Sequence, residues 1–147
     1  MAEKSLAQKL LMKPGMRGAV VNAPAEFRDK LGELPEGAQL DSSVDGRYQF
    51  LLLFVESRAT LQAWASKILE AAQPGALLWI AYPKKTSGKN ADINRDAGWE
   101  PLKDVGWDAI AAISIDDTWS ALRFRPVEEI QRTSSGQSSI ETDEDAE

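Results

Sequence analysis

Ala76-Leu77-Leu78-Trp79-Ile80-Ala81-Tyr82, followed by Pro83-Lys84-Lys85-Thr86-Ser87-Gly88-Lys89-Asn90-Ala91-Asp92-Ile93-Asn94-Arg95, decides how the rest of the chain is read. An unbroken apolar run of this length is the pattern of a strand covered on both faces, as in a parallel sheet with helices on either side. It empties into a basic, hydroxyl-rich, glycine-containing loop. In open α/β sheets ligands bind outside the carboxyl ends of the strands, so the junction is where a site is expected.

Upstream, Leu61, Trp64, Ala65, Ile68, Leu69 and Ala72 recur at helical spacing behind Ser57, a good N-cap, and Gln73-Pro74-Gly75 is expected to stop that helix. Tyr48 to Val55 is a second continuous apolar run and reads as another buried parallel strand. Arg17 to Asn22 reads as a first strand, with Pro24 opening a short helix through Leu31 that turns Phe27 and Leu31 inward. Ala38 to Ser42 gives a weak strand signal. Leu6, Leu10 and Leu11 mark one face of a short leading helix that Pro14-Gly15 ends.

Downstream, Asp92 is placed to cap a short helix, and Pro101 sits in the first turn of another that Gly106 closes. Ala109 to Ile115 and Thr118 to Arg125 flank Asp116-Asp117 and read as a hairpin. Leu122 and Phe124 alternate with Trp119, Ala121, Arg123 and Arg125, which predicts a half-exposed strand or one beside an edge, its arginines guarding against unwanted pairing. The sum is an α/β fold: a three-layer, mostly parallel sheet with helices on both faces and a C-terminal antiparallel hairpin.

The 147 residues divide into an α/β domain over 1–126 and an acidic tail over 127–147, whose Ser, Thr, Gln and acid content predicts disorder. The net charge of -6 belongs wholly to that tail, which carries seven acids against Arg132. The domain itself is neutral overall, so nucleic acid is not the expected partner. No apolar run approaches the roughly 20 residues that span a bilayer, and the start lacks a signal-peptide layout; no membrane is expected, and the cytoplasm is the default. Cysteine and histidine are both absent. Disulfides, thiolate nucleophiles, Ser-His pairs and the usual zinc sites fall away with them, which turns the expectation away from catalysis and from a bound metal.

Lys13-Pro14-Gly15, Asn22-Ala23-Pro24, Pro83-Lys84-Lys85, Ser87-Gly88, Asp92-Ile93-Asn94 and the run from Asp117 to Arg123 resemble a family of small bacterial proteins known as a domain of unknown function, over roughly residues 6 to 125. A parallel sheet ending in a hairpin also resembles the S-adenosylmethionine-dependent methyltransferase version of the Rossmann-like fold, shortened by at least one strand-helix unit. That resemblance implies S-adenosylmethionine as cofactor, but two of its features are missing. Methyltransferases end the first strand in a glycine-rich turn, where this chain has Asn22-Ala23-Pro24-Ala25. They also place an acid at the end of the second strand to hold the ribose hydroxyls, and Asp41 is the only candidate.

The residues expected to touch a ligand are therefore Asn22, Tyr82, Lys84, Lys85, Ser87, Asp92 and Arg95. The lysines supply attraction, Ser87 a hydroxyl and the turn backbone N–H groups for a phosphate or carboxylate. The competing reading is a solvated loop whose charges pair with Asp92, Asp96 or the tail, with Asp92 as a helix cap and Tyr82 closing the core. Trp64 and Trp79 read as core, and packing is also the expectation for Trp99, Trp107 and Trp119. The sequence thus predicts a non-enzymatic or cryptic binding module for a small anionic molecule or a protein partner. A reduced methyltransferase and a purely structural interaction protein are the alternatives, and dimerisation through the hairpin is left open.

Overall fold

Pairing between distant apolar runs builds the sheet. The computed structural model describes residues 6–85, 92–95, 97–127 and 141–142. In chain order the elements are α1 (Leu6–Lys9), β1 (Arg17–Val21), α2 (Phe27–Leu31), β2 (Gln39–Asp41), β3 (Tyr48–Phe54), α3 (Arg58–Ala71), β4 (Ala72–Pro83), α4 (Glu100–Lys103), β5 (Trp107–Ser114), β6 (Trp119–Pro126) and β7 (Glu141–Thr142). The strands lie in the order β2-β1-β3-β4-β6-β5-β7. β1 to β4 pair in parallel, and β6 runs antiparallel to both β4 and β5. This is the expected α/β architecture with its C-terminal hairpin.

The continuous apolar runs are explained by cover on both sides. Leu51, Leu53, Leu78 and Ile80 face one core with Leu61, Ala65 and Ile68 of α3 and Leu102 of α4. Leu52, Phe54, Trp79 and Ala81 face the other with Ala7 of α1 and Phe27 and Leu31 of α2. Trp79 also donates Nε1–H to the Leu10 carbonyl at 2.9 Å, which pins the chain after α1 to the sheet.

Three local expectations change. β4 begins at Ala72, directly after α3, so Pro74-Gly75 lies inside the strand rather than before it. The pairing jumps from Tyr48 opposite Ala72 to Phe50 opposite Leu77, and this irregularity accommodates a proline that cannot donate to the ladder. β6 is interior, flanked by β4 and β5. Leu122 and Phe124 face one core, while the alternate face passes from Trp119 and Ala121 in the other core to half-buried Arg123 and Arg125, so the expected half-exposure holds for its second half. Arg123 and Arg125 consequently guard no edge. Of the expected tail, all but Val127, Glu141 and Thr142 lies outside the described residues, and the last two pair with Ala111 and Ala112 of β5. Among the described residues no helix is long and apolar enough to cross a membrane.

Candidate functional site

Strand order reverses direction between β1 and β3, since β2 lies on one side of β1 while β4 lies beyond β3. Loops leaving two such strands diverge to opposite faces and open a crevice at their carboxyl ends. Here Asn22, Phe54, Glu56, Thr60 and Trp119 line a cavity of about 220 Å³. Each wall follows from local structure. Asn22 ends β1 with φ of 62°, a left-handed conformation that asparagine tolerates better than most residues. Glu56 is the first charged residue after the β3 run, and Thr60 lies in the first turn of α3. Trp119 opens β6 and packs edge-on against Phe54, with ring centroids 5.0 Å apart. A larger depression, about 790 Å³, runs along α3 and α4 between Arg58, Gln62, Glu70, Glu100 and Asp104. It lies on helix surface away from the switch point, so topology rather than size favours the smaller crevice.

The expected ligand residues separate into distinct roles. Asn22 is exposed at the crevice. Lys84 departs from its expected place in a solvated loop: it is 8% exposed, and its Nζ donates to Ser114 Oγ at 2.7 Å. Its backbone N–H donates to the Thr118 carbonyl at 2.8 Å, fixing the end of β4 to the hairpin turn. Lys85 is exposed, and Ser87 lies outside the described residues. Tyr82 is buried in the core against Trp99, with ring centroids 5.6 Å apart.

Asp92 caps a helix, but it is α3 rather than a helix of its own. Its Oδ1 accepts from the Arg58 backbone N–H at 2.8 Å, and its carbonyl accepts from Arg58 Nε at 2.8 Å. Arg95 is half-buried, with its carbonyl 3.2 Å from Trp99 Nε1. Trp99 and Trp119 are buried and Trp107 is half-buried, in keeping with packing roles.

Sequence reasoning passed over Glu56, Thr60, Ser114 and Lys9. The usable signal was position, because the first polar residue after an apolar parallel strand stands at the ligand edge. Lys9 Nζ donates to the Ser114 carbonyl at 2.9 Å, so two ammonium groups meet this one residue. Lys30 reaches the same turn, 2.6 Å from Asp116 Oδ2. Burial pushes the Asp116 carboxyl up, but the Lys30 bond, amide bonds from Trp119 and Thr118, and the Lys30 charge together hold it below its ordinary value. Among the described residues no group of acids is placed to hold a metal ion.

Among the described residues, the edge lacks the two cradle features that the methyltransferase resemblance implies. No glycine follows β1 to let the backbone approach a ligand. β2 ends level with Ala19, below the end of β1, and Asp41 is already engaged: it accepts from the Tyr48 hydroxyl at 2.7 Å and lies 3.6 Å from Arg17. The crevice of about 220 Å³ is also smaller than the roughly 300–1,000 Å³ usual for cofactor-sized ligands.

No family model and no curated protein matches the chain. Solved structures do. The chain is similar to the N-methyltransferase NodS from Bradyrhizobium japonicum at 12% identity and TM-score 0.53, covering 83% of this chain and 89% of that one. It is similar to a SAM-dependent methyltransferase from Aquifex aeolicus at 15% identity and TM-score 0.50, covering 81% and 86%. A possible exported protein from Bordetella parapertussis matches at 11% identity and TM-score 0.56, covering 82% and 66%. At these identities the likeness establishes the fold: the chain has the methyltransferase-like α/β architecture.

Proposed function

We propose that this methyltransferase-like chain is a binding module that holds a small anionic ligand at the carboxyl edge of its sheet. The observation that carries the reading is Lys84, whose ammonium is held almost out of water on Ser114 at the end of β4. Burying an ammonium carries a desolvation cost that its partners must repay, and it holds the cation in one orientation at the end of β4. At a ligand edge the same arrangement gives a pre-oriented cation with little side-chain freedom left to lose. Asn22, Thr60 and Glu56 in the crevice at the switch point suit a hydroxyl or amine.

A reduced S-adenosylmethionine-dependent methyltransferase is the second reading. The likeness to solved methyltransferases supports it at the level of fold, better than it supports the first, whereas the residues of the edge support the first. Calorimetric titration separates them. Micromolar binding of S-adenosylmethionine or S-adenosylhomocysteine overturns the binding-module reading. A thermal-shift screen of anionic metabolites should instead give hits on the wild type that disappear in Lys84→Ala/Lys85→Ala. If the double variant keeps every hit, the lysine rim is not the site. A protein partner captured by the wild type and lost in that variant, without any small-molecule hit, favours an acidic segment of a partner as the ligand.

A further inference from the structure

The sheet face beneath α3 and α4 is built in cross-strand rows. Leu78, Phe124 and Ala109 stand opposite one another across β4, β6 and β5, and Ile80, Leu122 and Ala112 form the next row. Both rows are apolar. The row after them, at the carboxyl rim, is Tyr82, Ser120 and Ser114. Directly opposed residues in antiparallel strands project to the same face, so hydroxyl groups replace hydrocarbon at one level of an otherwise apolar wall. Lys84, two positions beyond Tyr82, adds its Nζ 2.7 Å from Ser114 Oγ.

Ser120 is the informative member. It is 0% exposed, and its hydroxyl has no hydrogen-bond partner among the described residues. A buried hydroxyl without a partner is a standing cost, and its neighbours along β6, Ala121 and Leu122, show that the strand accepts apolar residues. Asp116, four positions before it, does not serve it. Asp116 Oδ1 accepts from the Thr118 and Trp119 amides at 2.8 Å each, and Oδ2 faces Lys30. Ser114 is similarly underused as a donor, because its hydroxyl reaches the Asp116 carbonyl only at 3.5 Å.

Resting on the reading that the Lys84 rim takes an anion, we propose that Lys84 Nζ, Ser114 Oγ and Ser120 Oγ form a subsite for a small oxyanion, either free phosphate or the phosphate or carboxylate group of a metabolite. A buried ammonium beside two serine hydroxyls suits an oxygen-rich anion and no apolar group. Lys84 and Ser114 each keep just under a tenth of their surface in solvent while Ser120 keeps none, so the anion enters past the first two.

The test is calorimetric titration of the full chain with inorganic phosphate at low ionic strength, with thermal unfolding of each ligand-free variant alongside. Wild type binds saturably, Ser120→Ala weakens binding roughly tenfold, and Lys84→Met weakens it at least about tenfold, as expected for hydrogen bonds to a charged group. Ligand-free Ser120→Ala unfolds at the same temperature as wild type or higher, because no protein hydrogen bond is lost. Tighter binding of a phosphorylated or carboxylated metabolite identifies that source over free phosphate. The subsite is overturned if Ser120→Ala binds phosphate as tightly as wild type, or if it is less stable without ligand. Loss in Lys84→Met with no change in Ser120→Ala removes the subsite but leaves the lysine rim standing. Failure of wild type to bind phosphate or any anion in the screen removes both. Should Lys84→Met not fold, Ser120→Ala and Ser114→Ala carry the test.

Discussion

Replacing Asp92 by alanine decides between two roles for a residue that the sequence offers both as a ligand contact and as a cap. At the start of α3, Ser57 Oγ accepts from the Thr60 N–H at 3.1 Å, while Asp92 Oδ1 accepts from the Arg58 N–H at 2.8 Å across 34 residues of sequence. Asp92→Ala leaves Arg58 N–H to water and removes a negative charge from the positive end of a 14-residue helix. Loss of a cap costs about 0.5–2 kcal/mol, and the charge accounts for about 0.3–1 kcal/mol of that order. Asp92 and Arg58 are both exposed, so water softens the loss and about 1–1.5 kcal/mol is expected. Asp92→Asn keeps the acceptor and should cost about 0.5 kcal/mol. Urea denaturation followed by tryptophan fluorescence measures both, with a fall in Tm of about 2–4 °C per kcal/mol for a chain of this size. An Asp92→Ala protein within about 0.3 kcal/mol of wild type at neutral pH would refute the capping role and return Asp92 to the ligand candidates.

Other perturbations probe different parts of the fold. Asp116, held below its ordinary value of 3.8, contributes stability that is complete above that value and lost as pH falls through the lower folded-state value. Urea midpoints followed down to about pH 2 should therefore drop more steeply in wild type than in Asp116→Asn; parallel curves would disprove the linkage. Gly18→Ala places a Cβ 2.8 Å from Leu40 Cδ2 and 3.1 Å from Phe50 Cβ. Leu40 can rotate but the Phe50 stem on the neighbouring strand cannot, so equilibrium unfolding should show a loss of about 1–3 kcal/mol. Trp79→Phe strands the buried Leu10 carbonyl, costing at least about 1–3 kcal/mol, and should speed proteolysis next to α1; unchanged cleavage would show that the indole does not hold that segment.

The architecture was legible because periodicity and punctuation agreed. The runs at 48–55 and 76–82 favour doubly covered strands by length and aromatic content, and the helix between them carries both its cap and its stripe. What escaped was non-local. Asp92 does cap a helix, but its partner Arg58 is distant in sequence, and no local pattern reports such a contact. Lys84 looked like one of several loop lysines because its burial depends on Ser114, brought alongside by β6. Pro74-Gly75 signals a turn in any sequence, yet here an irregular pairing with β3 absorbs it. Alternation in β6 reports two faces that differ, and the half-buried Arg123 and Arg125 match it, but periodicity does not show that Trp119 and Ala121 on that same face lie in a core.

The walls of the crevice come from the end of β1, the end of β3, the first turn of α3 and the start of β6. Occupancy would join stretches of chain that are distant in sequence. A ligand at a hundredfold excess over its Kd stabilises the folded state by about 2.7 kcal/mol. Amide hydrogen exchange should then slow together around Asn22, Glu56 to Thr60, and Trp119, making three separate segments exchange as one cooperative unit.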